Sequence, residues 1–402
     1  MTHIAIIGAG QAGAALVAKL RGEGFDGEIT LFGDEPAPPY QRPPLSKKYL
    51  LGQMDRERLF LRPEAYYAEH DITLETSARV AAIDGSAKTL TLEDGRVVAW
   101  DKLAITTGAR PRMLPDAIGG ALPGALPLRT LADADALAPL ARPGKTALIV
   151  GGGYIGLEAA AVLRGLGLKV TLLEAADRIL QRVAAPETSA YYRSLHAAHG
   201  VDLREGVALA RLTGDTHVTG ADLADGTHVA ADFALIGIGV IANAELAAAA
   251  GLAVDAGVTV DDRCVTSNPD IVAAGDCASL PWRGSRIRLE SVQNAIDQAE
   301  AAAMTLLGRG APYDPVPWFW SDQYDVKLQI AGLNTGYDHI VTRKGEGDAV
   351  SFWYYHGGTL LAVDAMNDAR AYMIGKRLIE AHRSPDPSTI ADAGTDLKAL
   401  LR

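Results

Sequence analysis

The sequence predicts an α/β protein built on a parallel-sheet unit used twice, followed by a smaller α+β module. Three observations carry this. A short apolar run, a G-x-G-x-x-G turn and an Ala/Leu-rich stretch begin at His3 and recur at Thr146. A segment downstream of each copy aligns without gaps, 94–108 on 225–239. Beyond Pro312, Pro315 and Pro317 the pattern changes to alternating strands and one helix.

In the first copy His3–Ile7 reads as a buried strand, and Gly8, Gly10 and Gly13 form the turn into a helix. In the second, Thr146–Val150 is the strand, Gly151, Gly153 and Gly156 form the turn, and Tyr154 and Ile155 open the helix. The three glycines serve a tight turn, close backbone approach to a pyrophosphate, and helix-on-strand packing. The phosphates sit on free N–H groups at the positive end of the helix dipole. A second strand follows each helix and ends in acid: Glu28–Phe32 before Asp34 and Glu35, and Leu168–Leu173 before Glu174. Asp34 lies 21 residues beyond Gly13 and Glu174 lies 18 beyond Gly156, close to the ~20 expected of an acid that accepts ribose hydroxyls. Asp34 is nearer the strand, and Glu35 could share the task. Two dinucleotides are therefore expected.

The aligned segments add an Asp-Gly hairpin and an apolar strand to each unit. Those strands end in small residues, Thr107-Gly108 and Gly237-Ile238-Gly239, at the carboxyl edge where such sheets bind ligands. Asp270–Ala278 reads as a strand returning to the first unit, followed by a periodic helix at 291–307. The expected domains are 1–112 with 243–317, then 113–242, then 318–402. In the last, Val350–Tyr355 and Thr359–Asp364 read as strands and about 367–382 as a helix, before a tail rich in Ser, Pro and Asp.

Two bound dinucleotides imply electron transfer between them, most simply from an exchangeable nicotinamide to a tightly held FAD. The N-terminal unit, completed by a distant segment, suits FAD; the continuous central unit suits a cofactor that comes and goes. Glu174 selects NADH, because a carboxylate accepts ribose hydroxyls and repels a 2′-phosphate. Arg178 and Arg182 lie nearby and are assigned to the pyrophosphate or to solvent.

Composition narrows the class. With 402 residues, 48% hydrophobic and 22% charged, the chain is that of a multi-domain globular protein. A net charge of −11 argues against nucleic acid as a partner. No apolar run approaches the ~20 residues of a membrane span, and no leader is apparent, so a cytoplasmic protein is expected. Cys264 and Cys277, 13 apart, form neither a C-x-x-C pair nor a zinc cluster.

Pro39–Lys47 holds two cations, Arg42 and Lys47, between paired prolines. Arg42 could pair with phosphate or stack on adenine, and Lys47 could approach the isoalloxazine ring. Together with 151–158, Gly275-Asp276-Cys277 and Trp318–Gln323, this segment resembles the oxygenase-coupled NADH-dependent ferredoxin reductases. The resemblance covers essentially the whole chain. It implies a glutathione-reductase-like fold: two Rossmann-type dinucleotide-binding domains plus a C-terminal α+β domain. It also assigns FAD to Gly8, Gly10, Ala12, Gly13, Asp34, Arg42, Lys47, Val80, Thr107, Gly108, Arg129, Asp276 and Val292. Asp276 would hold the ribityl chain and Val292 would offer its N–H to the ring. Trp320 is placed beside the flavin, or equally in the core of the last domain. Lys47 and Glu158 are placed near flavin N5 as an ion pair. A cation there steadies the charge arriving with hydride, and a carboxylate balances the cation. Glu158 could instead merely complement its helix dipole.

Disulfide-reducing relatives of this fold need a cysteine pair beside the flavin, and peroxide-reducing ones a single cysteine where this chain has Arg42–Lys47. With neither, electrons must leave the flavin directly for an external acceptor, and the resemblance implies that this is an acidic [2Fe–2S] ferredoxin serving a cytochrome P450 or ring-hydroxylating dioxygenase. An acidic reductase meeting an acidic partner needs a local basic patch. The candidates are Arg56, Arg58 and Arg62, or the preferred Arg283, Arg286 and Arg288. The alternatives are a rubredoxin or organic-radical reductase, an NADH oxidase, or an apoptosis-inducing-factor-like protein. A monomer is expected.

Overall fold

The computed structural model describes residues 1–402. The chain folds into two compact units: Met1–Gln41 with Asp55–Arg110 and Val240–Pro315, and Arg42–Met54 with Pro111–Gly239 and Val316–Arg402.

The first unit holds a five-stranded parallel sheet in the order Ile271–Ala273, Lys102–Ile105, His3–Ile7, Glu28–Phe32, Ile72–Glu75. Its strands are apolar because both faces are covered: Ile4 and Ile6 join one core with Leu16, Leu20 and Ala299, while Ala5 and Ile7 join another with Leu90, Trp100 and Leu280. The returning strand is the one expected at 270–278. The helix after it runs from Val292 to Leu306, with Ser291 as its N-cap.

The second unit repeats the plan. Asp202–Glu205, Lys169–Glu174, Thr146–Val150, Phe233–Ile236 and Ala125–Leu126 form a parallel sheet in the same order. The two Asp-Gly hairpins are present, Thr89–Leu92 with Val97–Ala99 and Gly220–Leu223 with His228–Ala230. Not anticipated was Ala125–Leu126: the stretch between the two halves, punctuated by Pro111, Pro115, Pro123 and Pro127, contributes the edge strand, then a helix, Leu131–Leu137, opened by a Thr130–Asp133 capping box.

The same unit contains a five-stranded antiparallel sheet, ordered Trp318–Gln323, Val326–Gly332, Thr359–Met366, Val350–His356, His339–Lys344. The helix Ala369–Glu380, capped by Asp368, packs Ile374 and Leu378 against Trp353 and Val363. The polar tail is anchored. Arg343, almost fully buried, donates to the carbonyls of Ile390, Asp392, Ala393 and Thr395 at 2.6–3.2 Å.

Asp364 is buried in this sheet and accepts from Thr188 Oγ1 at 2.8 Å and Tyr354 Oη at 2.5 Å. Burial pushes its carboxyl up to about 6, against the pull of those donors. Because the folded state holds this proton more tightly, the stability it contributes is complete below pH ~4 and is lost as pH rises through ~6. The buried charge then costs about 3 kcal/mol at neutral pH. Asp364→Asn, which can still accept from Thr188 and Tyr354, is expected to remove this dependence. Urea denaturation from pH 4 to 8 should show the variant gaining 1–3 kcal/mol on the parent toward the alkaline end.

Candidate functional site

Both glycine turns adopt the geometry their spacing predicts, with matching contacts. Gly8 has φ +112° and Gly151 φ +113°, and a Cβ at either would stand 2.3 Å from a backbone carbonyl, of Thr106 and Gly237 respectively. A Cβ at Gly13 would stand 2.2 Å from Gly8 O, and one at Gly156 2.1 Å from Gly151 O. These positions press helix onto strand and admit only glycine without backbone movement. Gly10 and Gly153, by contrast, face open space. They are the N-cap residues of Gln11–Gly22 and Tyr154–Gly165, and no side chain caps either helix. The helices Val292–Leu306 and Ala369–Glu380 do have side-chain caps. Two uncapped helix ends behind open glycines leave orphan N–H donors suited to a pyrophosphate.

Around the first turn the remaining first-unit positions are Asp34, Glu35, Val80, Thr107, Gly108, Asp276 and Val292. Asp34 is exposed, whereas Glu35 accepts the Tyr40 hydroxyl at 2.5 Å. Val80 is buried. Thr107 Oγ1 donates to Asn243 O at 2.6 Å, and Asn243 Nδ2 returns a bond to Thr107 O at 2.9 Å, which fixes the strand end before Gly108. Gly275 N–H donates to buried Gln298 Oε1 at 2.9 Å, which holds the turn bearing Asp276. Ser291 caps Asn294 N–H at 3.1 Å and leaves the Val292 N–H, at the first helical position, outside the helical pattern.

At the second turn Glu174 accepts the Gly152 N–H through Oε2 and the Ala176 N–H through Oε1, both at 2.8 Å. The strand-end acid thus shapes its own loop. Arg182 is exposed, and its guanidinium lies 3.7 Å from where a Cβ of Gly239 would be. Arg178, assigned to pyrophosphate or solvent, instead donates to Ser189 Oγ at 2.6 Å and Gln181 O at 3.3 Å. Ile155 is exposed; the Tyr154 ring lies 5.0 Å from that of Phe319, and its hydroxyl is buried without a partner. Gly237 N–H donates to Val150 O at 2.8 Å, bringing the 237–239 turn beside the fingerprint.

Arg42, Lys47, Arg129, Glu158 and Trp320 also lie in the second unit. Arg42 Nη1 donates to Arg129 O at 2.9 Å. Trp320 is half-buried, packed on Trp318 and Phe319. Lys47 Nζ stands 3.0 Å from Glu158 Oε1, with side chains 17% and 9% exposed. Three neighbours missed in the sequence complete this group. Ser321 Oγ donates to Glu158 Oε1 at 2.7 Å, Ser46 Oγ to Oε2 at 3.3 Å, and Asp322 Oδ2 lies 3.4 Å from Lys47 Nζ. Burial raises the Glu158 carboxyl, with Lys47 and then the Ser321 bond opposing it. The group is a desolvated, nearly compensated charge pair.

The thiols stand apart from any such chemistry. Cys264 and Cys277 are buried and unbridged. Burial pushes the Cys264 thiol up to about 12 and raises that of Cys277.

In the arginine loop Arg283 and Arg286 are exposed and Arg288 is half-buried. Arg286 donates to Val260 O and Ser279 O, and Arg288 donates to Asp276 O and pairs with Glu290 at 2.6 Å. These two hold their own fold, and Arg288 is already neutralised. Arg283, with its guanidinium over Trp282 at 4.5 Å, has no such bonds. Arg56, Arg58 and Arg62 are exposed, Arg62 lying over the Tyr66 ring.

Residues 2–299 match the family described as pyridine nucleotide-disulphide oxidoreductase, and residues 318–401 match the reductase C-terminal family. The chain belongs to the pyridine nucleotide-disulphide oxidoreductases. Within that family it resembles the ferredoxin reductases. It is 42% identical to rhodocoxin reductase of Rhodococcus erythropolis, over 99% of this chain and 94% of that one. It is 39% identical to the ferredoxin–NAD(+) reductase component of the p-cumate 2,3-dioxygenase system of Pseudomonas putida, over 99% and 98%. The crystal structure of the covalent putidaredoxin reductase–putidaredoxin complex superposes with a TM-score of 0.96 at 39% identity, covering 100% and 98%. The family is FAD-containing and NAD(H)-dependent, and the chain is an oxidoreductase of its ferredoxin reductase class. The expected glutathione-reductase-like α/β fold stands.

Proposed function

We propose that this chain passes electrons from NADH through FAD, one at a time, to a [2Fe–2S] ferredoxin that serves a cytochrome P450 or ring-hydroxylating dioxygenase. The observation that carries it is the desolvated Lys47–Glu158 pair in a chain whose two thiols are buried and unbridged. That pairing supports hydride chemistry without a disulfide relay.

Bound FAD supplies the conversion of a two-electron hydride into single electrons. The chain's own residues supply the rest. The uncapped helix end behind Gly8, Gly10, Ala12 and Gly13 takes the FAD pyrophosphate. Asp34 takes the adenosine ribose, since Glu35 is engaged by Tyr40; Val80, Thr107, Gly108, Arg42, Arg129, Asp276, Val292 and Trp320 are the further FAD contacts. The corresponding end behind Gly151, Gly153, Tyr154, Ile155 and Gly156 takes the NADH pyrophosphate, with Arg182 and the 237–239 turn beside it. Glu174, pinned by two backbone donors, directs its remaining lone pairs to ribose hydroxyls and repels a 2′-phosphate. Lys47 keeps a positive charge where negative charge arrives, and Glu158 keeps that cation compensated at rest.

An acidic ferredoxin would dock through Arg283 or through Arg56, Arg58 and Arg62; the protein is read as a cytoplasmic monomer. The test is acceptor choice at steady state with NADH. Reduction of a [2Fe–2S] ferredoxin should outpace oxygen and rubredoxin reduction. Preference for oxygen would select an NADH oxidase, and preference for rubredoxin its reductase. Slow turnover with all three would favour an apoptosis-inducing-factor-like role.

A further inference from the structure

Glu158 is the end of a longer hydrogen-bonded path. Ser321 Oγ contacts Glu158 Oε1 at 2.7 Å, and Gln323 Nε2 contacts Ser321 Oγ at 3.1 Å. His196 Nε2 contacts Gln323 Oε1 at 2.8 Å, and Tyr324 Oη contacts His196 Nδ1 at 3.4 Å. Ser321, Gln323 and His196 are fully buried.

The chemistry of the groups fixes every proton along this path. A carboxylate only accepts, so Ser321 gives it its one proton. The Ser321 oxygen must then accept, which places the Gln323 amide NH₂ toward it and the Gln323 carbonyl toward His196. His196 must therefore carry its proton on Nε2, leaving Nδ1 bare to accept from Tyr324. Burial lowers the basicity of His196 and raises the Tyr324 hydroxyl, so both hold the neutral forms this direction requires.

A second observation points the same way. Tyr324 sits in the two-residue turn between Trp318–Gln323 and Val326–Gly332 with φ +56°. Such a position favours glycine or asparagine, and a bulky aromatic there is strained. The ring stacks on His199 at 3.6 Å and meets His196 edge-on at 5.3 Å. The turn holds a strained residue whose side chain closes the path.

We propose that Tyr324, His196, Gln323 and Ser321 are positioning residues, a one-directional hydrogen-bond chain that holds the Glu158 carboxylate against Lys47. The chain orients and does not conduct: a primary amide in its middle cannot relay a proton in its ordinary form. The proposal rests on the hydride-transfer reading of the Lys47–Glu158 pair. It adds that the C-terminal domain sets the pair's geometry through Gln323 and an imidazole four side chains from the lysine.

The test uses Gln323→Met, which keeps volume and removes both links, and Tyr324→Phe, which keeps the stacked ring and removes only the terminal donor. The side-chain nitrogens of His196 are read by long-range ¹H–¹⁵N NMR in apoprotein and FAD-loaded protein. The parent should show the Nε2–H tautomer alone, and Gln323→Met a mixture. In single-turnover flavin reduction, Gln323→Met should lose about tenfold in limiting rate with unchanged NADH affinity. Ser321→Ala should do the same, and Ser321→Thr should recover most of it. A parent His196 protonated on Nδ1 overturns the chain. If Gln323→Met does not fold, Tyr324→Phe decides: the Nε2–H tautomer should persist while the Nδ1 resonance shifts with the loss of its donor, and an unchanged Nδ1 signal overturns the proposal. A mixed tautomer with an unchanged limiting rate overturns the positioning role. A parent that NADH does not reduce refutes the underlying reading instead, since the tautomer is measured without NADH.

Discussion

Replacing Lys47 by methionine is expected to slow NADH-driven flavin reduction by about 10²- to 10³-fold, the loss typical of removing one group that stabilises developing charge in a dry site. The same change leaves Glu158 buried without its cation. Only the Ser46 and Ser321 hydroxyls then remain on its oxygens. Breaking a buried pair from one side costs about 3–5 kcal/mol, unless the survivor takes up a proton. Glu158 is inclined to do so, because burial already raises its carboxyl. Lys47→Met should therefore lose both rate and stability, whereas Lys47→Met with Glu158→Gln should regain stability and stay slow. Denaturant unfolding of the FAD-loaded variants, beside stopped-flow rates, separates the effects. A double variant that recovers the rate would remove Lys47 from the chemistry.

Glu174→Ala should damage NADH binding more than a lost ribose contact alone. Its oxygens accept the Gly152 and Ala176 N–H groups at 2.8 Å, so the phosphate turn and the loop after the strand lose a shared anchor. Charge-assisted bonds of this kind contribute about 1.5–3 kcal/mol each. The expected result is a KM for NADH raised about 10- to 100-fold with kcat on ferricyanide little changed, the pattern of lost uniform binding. With the carboxylate gone, the preference for NADH over NADPH in kcat/KM should narrow by at least about tenfold. An unchanged preference would show that another residue selects the nicotinamide.

Local pattern explains what could be read from the chain beforehand. The glycine turns, the Asp-Gly hairpins and the strand returning at Ile271–Ala273 are written in short-range period and spacing. Glu174 was legible for the same reason, as an acid at a strand end. Its role in anchoring its own turn was not, because that depends on which way the loop closes. Ser321 and Ser46 reach Glu158 across sequence separations of 163 and 112, which no period encodes. His196 carries no motif in the sequence, and only the packing of Gln323 beside it places it on the path to Glu158. The arginines of 283–288 differ in ways that spacing does not encode. Charge in a loop suggested a docking patch, but whether a guanidinium faces solvent or its own backbone carbonyls is decided by tertiary structure. Arg286 faces the carbonyls.

The same holds for the tail and the proline-rich crossing. Neither composition names a partner: Arg343 anchors the first, and Ala125–Leu126 inserts into a sheet in the second. Polar and proline-rich stretches are ordered here by single long-range contacts, a buried guanidinium and a two-residue edge pairing.

The most direct measurement is anaerobic double mixing: the FAD-loaded protein with one equivalent of NADH, then with two equivalents of oxidised [2Fe–2S] ferredoxin. The account predicts rapid bleaching of the flavin by NADH, much slower bleaching by NADPH, and return of the oxidised flavin spectrum as two ferredoxins are reduced. Flavin that NADH bleaches but ferredoxin leaves reduced, and that only oxygen restores, would contradict it.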